Sequence, residues 1–465
     1  MPQKTIHIGC GAGFSGDRVD AAIAVVNDLK TRTGPCYLIF ETLAERTLAA
    51  AQRQRQSDSD AGHAPNLLNF LRPVLADCKA AGIRIISNFG AANPRGAAKK
   101  IIALAEQQGI PALRVAIVEG DDLFGSMPED DLRTLPTLEG LSAASGQMIA
   151  ANVYLGGAPI AEALAAGADV VVTGRCADPA LVVGPAMHEF GLQADDLAAL
   201  ATATCAGHLI ECGSQVSGGY FADPGHKDVS GLENVGFPIA ELSADNELVI
   251  TKATGTGGVV DQRTVKEQLL YEIHDPAAYL TPDVTLDLMQ VTVTPDGPNR
   301  VRVAGARGLP APTTLKATLS YDGGFLAEGE LSYVGPNARA RAELAVQILR
   351  DRLAASGINH RARFDIMGTV SMFDGDSGEL QKAGRWPDDG EYRIRGALRC
   401  MDHDQAIAFS DEITALYCCG PAGGGGLRTH VSAQIQTSSA LVPRAKVAVN
   451  VSLLDCSTSR SGGHT

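Results

Sequence analysis

Short, apolar, β-branched runs alternate with stretches of helical periodicity through the N-terminal half of this chain, and that rhythm restricts the fold more than any other feature. Thr5–Gly9, Cys36–Phe40, Ile83–Ser87, Leu113–Val118, Met148–Asn152 and Val170–Val172 read as strands. Glu41–Arg55, Leu67–Ala81, Pro94–Gln108, Pro159–Ala166, Pro179–Phe190 and Leu197–Cys212 read as helices between and after them. A parallel partner strand needs a crossover, and a helix is the usual one, so six strands spaced this way imply parallel βαβ units. The expected fold class is α/β, a parallel sheet with flanking helices. An open, Rossmann-like sheet is favoured over a closed barrel.

Beyond residue 280 the pattern changes. Val284–Pro295, Arg300–Ala304, Thr314–Tyr321 and Leu326–Val334 read as strands joined by turn signals such as Asp322-Gly323-Gly324. Asn337–Ala355 follows as an amphipathic helix, Ile366–Phe373 and Tyr392–Arg399 as strands, Asp404–Leu416 as a helix and Lys446–Leu453 as a strand. The expected domains are therefore 1–280, an α/β domain carrying the cleft; 281–456, a second α+β domain; and 457–465, a disordered tail.

A formal net charge of −14 argues against a nucleic-acid partner, since no basic face offsets phosphate repulsion. No apolar run is long enough to span a membrane and the start runs directly into a strand, so the expected location is cytoplasmic. Ten cysteines without a C-x-x-C pair read as reduced thiols packed in the core.

Ligands of open α/β sheets bind outside the carboxyl ends of the strands, so the residues after each strand matter most. Asp17 and Arg18 follow the first strand; Glu41, Glu45 and Arg46 the second; Asn88 and Asn93 the third; Glu119, Asp121 and Asp122 the fourth. Asn152 ends the fifth, and the sixth delivers Arg175, Cys176 and Asp178. A cleft lined by carboxylates, amides and arginines suits acid–base work on an acyl or carboxylate substrate. Several of these residues would serve equally well as helix caps and first-turn carboxylates. Glu41 and Glu45, four apart on one expected helix, form a candidate metal pair, but a solvated face is the preferred reading and no metal ligand is assigned.

His208 and Glu211 lie three apart on one helical face, with Cys212 beside them, as a possible acid–base group or as packing. The polar, glycine-rich Gly213–Asp228 reads as a functional loop. Gly11, Gly13 and Gly16 satisfy G-x-G-x-x-G after a strand. Gly255, Gly257 and Gly258 precede another helix. Both glycine turns are expected to receive anionic groups on backbone amides. An NAD-dependent oxidoreductase is the rival reading of the first. The Gly420–Gly426 run suggests close approach to a ligand or partner, with a surface loop the alternative.

Several words together resemble one family. They are Gly11–Arg18, Phe40–Thr47, Gly90–Pro94, Glu119–Leu123, Gly174–Asp178 and Gly420–Gly426. The chain is similar over most of residues 5–450 to the acyclic terpene utilisation protein AtuA family. The resemblance implies a part in the catabolism of branched acyclic terpenoid acids, such as those from citronellol and geraniol, through CoA thioesters. Longer relatives carry a C-terminal ferredoxin-like domain, which here implies either a separate small ferredoxin-fold subunit, the preferred reading, or a function that does not need one. The expected function is a catabolic lyase or hydratase acting on a branched or hydroxylated acyl substrate, in a homo-oligomer. CoA would be part of that substrate, and a divalent metal is the lesser alternative. In this reading Arg175 clamps an anion, Asp178 or Asp121 is the base, His208 is the acid, and Glu41 completes the cleft. A non-catalytic subunit of a multi-enzyme complex is the further alternative.

Overall fold

The structure, a computed structural model, describes residues 4–138, 146–356, 362–369, 375 and 377–455. The expected tail therefore lies outside the described residues. The chain divides into two compact units. The first comprises Met1–Ala144, Met148–Ser320 and Thr437–Thr465, and the second Ser145–Gln147 and Tyr321–Gln436. The stretches 281–320 and 437–455 thus group with the first unit, whereas the sequence reading placed a boundary at 280/281. Among the described residues no helix is long and apolar enough to cross a membrane.

In the first unit the strands are β1 (Thr5–Ala12), β2 (Cys36–Phe40), β3 (Arg84–Ser87), β4 (Arg114–Glu119), β5 (Met148–Val153), β6 (Val170–Thr173), β7 (Pro238–Ser243) and β8 (Leu248–Lys252). Five of them pair in parallel in the order β1-β2-β3-β6-β4. Antiparallel strands extend both edges. On one side β7 and β8 are followed by Arg300–Ala304 and Thr292–Gly297, and on the other Asn450–Asp455 runs against β4. The result is a ten-stranded mixed sheet, more mixed than the all-parallel expectation.

Met148–Val153 is a strand, as its sequence suggests, but it does not join this sheet. The free edge of β4 is taken by Asn450–Asp455, and β5 pairs instead with the strand Thr314–Gly335. Two helices also differ from expectation. Pro73 cannot donate an amide to a helix, so Leu67–Ala81 splits into Leu67–Leu71 and Leu75–Ala81. The helix after β2 begins at Glu45 and not at Glu41, because the intervening backbone is held extended: the Glu41 amide donates to Ala12 O and the Thr42 amide to Asn88 Oδ1. Glu41 and Glu45 therefore do not share a helix face.

The second unit holds an antiparallel sheet ordered Arg363–Met367, Gly390–Cys400, the strand ending at Gly335, and the strand beginning at Gly425. Ala338–Ser356 and His403–Cys419 cover one face through Leu331, Tyr333, Leu349, Ile394, Phe409 and Ile413. The opposite face carries cross-strand ion pairs such as Arg393–Glu330 at 2.7 Å. The expected turn at Asp322-Gly323-Gly324 is not a turn. Gly324 takes a positive φ of 71° with its amide donating to the Asp322 carboxylate, and the strand runs through from Thr314 to Gly335.

Strand β7 is tied to its surroundings by Glu241, which accepts from Arg300 at 2.7 and 2.8 Å and from Arg32 at 2.5 Å. Burial opposes the charge, but the two guanidinium bonds prevail and hold the carboxyl at about 2. Its stabilisation is therefore complete above the unfolded value of about 4 and is lost as pH falls through about 2. Glu241→Gln should lower stability by on the order of 2 kcal/mol near neutrality. That difference should shrink between about pH 4 and pH 2 in thermal melts.

Candidate functional site

A cavity of about 650 Å³ lies in the first unit, lined by residues that follow β1, β2, β5 and β6. At its floor is the turn after β6. The Arg175 amide donates to Asp121 Oδ2 at 2.8 Å, which anchors the turn. The Arg175 side chain, 3% exposed, donates through Nη1 to Leu43 O and through Nη2 to Asp178 Oδ1, the latter at 2.8 Å. Its guanidinium carbon sits 4.2 Å from the centre of the Tyr154 ring. Among the described residues Arg175 is the one guanidinium lining this cavity, and its Nε has no hydrogen-bond partner.

Several carboxyl groups surround that charge. Glu41, at the end of β2, accepts from the Leu43 amide at 2.9 Å and from Asn88 Nδ2 at 2.7 Å. Burial, then the nearby Asp178 carboxyl, push Glu41 well above the usual carboxylate range. Burial raises Asp178 as well, with Arg175 opposing it. The Asp178 side chain is 33% exposed, so of the group it is the carboxyl met directly by a guanidinium and open to solvent. Burial works against the charge of Glu45, but the Tyr154 hydroxyl bond and Arg175 outweigh it and leave Glu45 at about 2. Lys316 stands 3.5 Å from Glu45.

On the facing wall His208 Nδ1 lies 3.0 Å from Glu211 Oε1. Burial pushes the His208 imidazole down to about 4 and the Glu211 carboxyl well above the usual carboxylate range, so the neutral imidazole makes this contact a hydrogen bond and not an ion pair. His208 Nε2 and Glu211 Oε2 are buried without a partner. The wall is held by two close approaches. A Cβ on Gly207 would fall 2.6 Å from Pro179 Cα, and a Cβ on Gly13 would fall 2.2 Å from Glu211 O. The mouth is apolar: Phe14, Leu138, Tyr220 and Leu280 line it and are all exposed.

Four residues expected in a cleft, Glu41, Arg175, Asp178 and His208, line this one cavity. Asp121 does not. It lies beneath the β6 turn, where it accepts from Arg175 N and Asn152 Nδ2, and it lines a separate cavity of about 490 Å³ beside the start of the Pro94–Gln107 helix. Gly13 lines the main cavity, but its amide is taken by Asp17 Oδ2 at 2.8 Å. Gly11 lies inside β1 against the Phe40 ring, and Gly16 against the Phe14 ring. Gly255 adopts a φ of 76° in a turn, Gly257 rests on Gly231, and Gly258 rests on Ser217, all away from the cavity.

Ser214, Gln215, Gly219 and Tyr220, from the expected functional loop, line the mouth. Cys176, between Arg175 and Asp178, is a buried thiol that burial raises to about 12. Tyr154, Glu272, Tyr279 and Lys316 also line the cavity and carry no motif. Tyr154, two residues beyond Asn152, is the one with a strand-end signal. Among the described residues no three His, Cys, Asp or Glu side chains come together in a metal-holding arrangement.

Two substitutions test this geometry. Gly207→Ala should cost roughly 1–3 kcal/mol, since backbone and not a flexible side chain must give way, and it should move His208 and Glu211 away from Asp178. A thermal melt and a crystal structure would read both effects. Asp121 is raised by burial to about 7 despite its bonds from Arg175 and Asn152. A carboxyl raised this way costs stability progressively as pH climbs from about 4, its unfolded value, to about 7. Asp121→Asn keeps an acceptor oxygen and cannot ionise, so its melting temperature should fall less than the wild type's over that interval.

A family model described as acyclic terpene utilisation family protein AtuA matches residues 6–453. No curated protein and no solved structure matches the chain. The match takes in every strand of the ten-stranded sheet and both units, and the chain belongs to the acyclic terpene utilisation protein AtuA family.

Proposed function

We propose that the chain is a lyase of the hydratase–dehydratase type, acting on a branched β-hydroxyacyl thioester. One observation carries the reading: three carboxyl groups, Glu41, Asp178 and Glu211, share one apolar-mouthed cavity with a single buried guanidinium. Arg175 favours the charged form of Asp178 beside it, while burial favours the protonated forms of Glu41 and Glu211. Acids and a base held in one site are what proton transfer in both directions requires.

Asp178, ion-paired to Arg175 and open to the cavity, is the base for the proton next to the thioester carbonyl. Asp121 faces the other cavity, so the base role falls to Asp178. Arg175 gives one N–H of each Nη to Leu43 O and Asp178 and lines the cavity, so its charge supports an acyl oxygen. The proton for the departing hydroxyl comes from the His208 wall. A branched hydrocarbon tail fits the exposed Phe14, Leu138, Tyr220 and Leu280, which supports an acyclic terpenoid substrate. Acidic side chains dominate the polar lining, so the phosphates of a CoA carrier stay outside the mouth.

The test uses β-hydroxy-β-methylacyl-CoA thioesters of short and terpenoid chain length in deuterium oxide. Wild-type protein should exchange the hydrogens next to the carbonyl and release water, followed by NMR and mass spectrometry. Asp178→Asn should reduce both by at least about 100-fold. Wild-type protein that leaves those hydrogens unexchanged in every thioester would falsify the reading.

A further inference from the structure

We infer that Glu211 is the catalytic acid of this cavity and that His208 is its positioning residue, so that Asp178 and Glu211 divide the proton transfers between two opposite helix poles. This rests on the lyase reading above. The two carboxyl groups stand at contrasting ends of two helices. Asp178 lies one residue before Pro179, the N-cap of Ala180–Phe190, and its carbonyl accepts the Leu181 amide at that helix's first turn. Glu211 is the C-terminal cap of Leu197–Ile210, its amide donating to Gly207 O at 2.9 Å. The positive pole of a helix favours a carboxylate and the negative pole disfavours one. Asp178 also has Arg175 at 2.8 Å, whereas no cation contacts the Glu211 carboxyl. Ion pairing and helix polarity thus favour the charged form at Asp178 and the neutral form at Glu211, on top of the burial that raises both.

The local geometry gives Glu211 a defined task. One oxygen, Oε1, is occupied by His208 Nδ1 at 3.0 Å; the other, Oε2, is buried with no partner. A neutral imidazole with its hydrogen on Nδ1 donates to Oε1, which leaves the acidic hydrogen on Oε2. The same N–H then stabilises the carboxylate left after Oε2 gives up its proton. The backbone that carries Glu211 is held in place, because Gly13 packs against its carbonyl and Gly207 packs against Pro179. The other charged or titratable groups facing it are Asp178, Glu272, Arg175, Cys212 and Tyr279.

The step balances as follows. Asp178 takes the α-hydrogen as a proton, and the electron pair of that C–H bond becomes the new carbon–carbon double bond. The β-carbon–oxygen bond breaks with its pair going to oxygen, which takes the proton from Glu211 Oε2 and leaves as water. Asp178 ends protonated and Glu211 ionised, and one proton passed back from Asp178 to Glu211 restores the starting state.

Because exchange of the α-hydrogen needs the base alone, while loss of water needs the acid as well, the two reactions separate the roles. With the same thioesters in deuterium oxide, Glu211→Gln should keep exchange within about threefold of wild type. It should slow water loss by at least about 100-fold. His208→Asn should slow water loss and move the alkaline limb of its pH profile upward, since the Glu211 carboxylate loses its donor. A purely structural histidine would leave that limb in place. Glu211→Gln that releases water at the wild-type rate overturns the assignment. Wild-type protein that neither exchanges nor dehydrates overturns the lyase reading and this proposal with it.

Infrared spectroscopy supplies a readout that needs no substrate. At neutral pH the protonated-carboxyl band should lose intensity in Glu211→Gln relative to wild type, and an unchanged band overturns the assignment. Should Glu211→Gln fail to fold, Glu211→Asp provides the same two rates with a shortened acid. Slowed water loss with retained exchange supports the assignment, and wild-type rates for both overturn it.

Discussion

A guanidinium that is 3% exposed has to be answered, and the surroundings of Arg175 are that answer. Burying an ion is costly unless hydrogen bonds and opposite charge replace its water. Its own amide is held by Asp121, its side chain by Leu43 O and Asp178, and its flat face by Tyr154. Each partner comes from a different place: the end of β4, the segment after β2, the turn after β6 and the residue after β5. The charge and the backbone of this one residue therefore draw four strand ends together, and removing the guanidinium would leave Asp178 without its ion pair.

The same charge bears on the rest of the cavity. Arg175 and Lys316 favour the charged forms of Asp178 and Glu45, whereas burial raises Glu41 and Glu211 well above the usual carboxylate range. Helix polarity works in the same direction. A carboxyl at the start of Ala180–Phe190 and another at the end of Leu197–Ile210 experience opposite fields, although they belong to one cavity. Close glycine contacts at Gly13 and Gly207 keep the two walls at that spacing.

Much of the parallel core was legible along the chain because strand and helix periods are local. Cys36–Phe40 was read with its observed bounds, and β3, β4, β5 and β6 to within a residue or so. The strands Pro238–Ser243 and Leu248–Lys252 and the helix Ala21–Leu29 are absent from the sequence reading, although Asp245-Asn246 and Gly255–Gly258 bracket the second strand with turn signals. The single helix read over Leu67–Ala81 ignored Pro73. The hairpin read at Asp322-Gly323-Gly324 took turn chemistry as decisive where a long strand continues through it. Strand-end placement points to Glu41, Arg175 and Asp178, helical spacing with Glu211 points to His208, and all four line one cavity.

By itself the sequence determined the alternation of elements, the polar residues waiting at the strand ends and the family, since all three are written in local pattern. Tertiary structure alone decided the sheet order, because Asn450–Asp455 takes the edge of β4 from β5 across more than 300 residues of chain. It likewise decided that Asp121 supports the β6 turn from a separate cavity, and that Tyr154 and Lys316 face Glu45. Protonation states belong to that second class as well. Burial raises the Glu41, Asp178 and Glu211 carboxyl groups, and burial is set by distant segments packed over them, not by their neighbours in sequence.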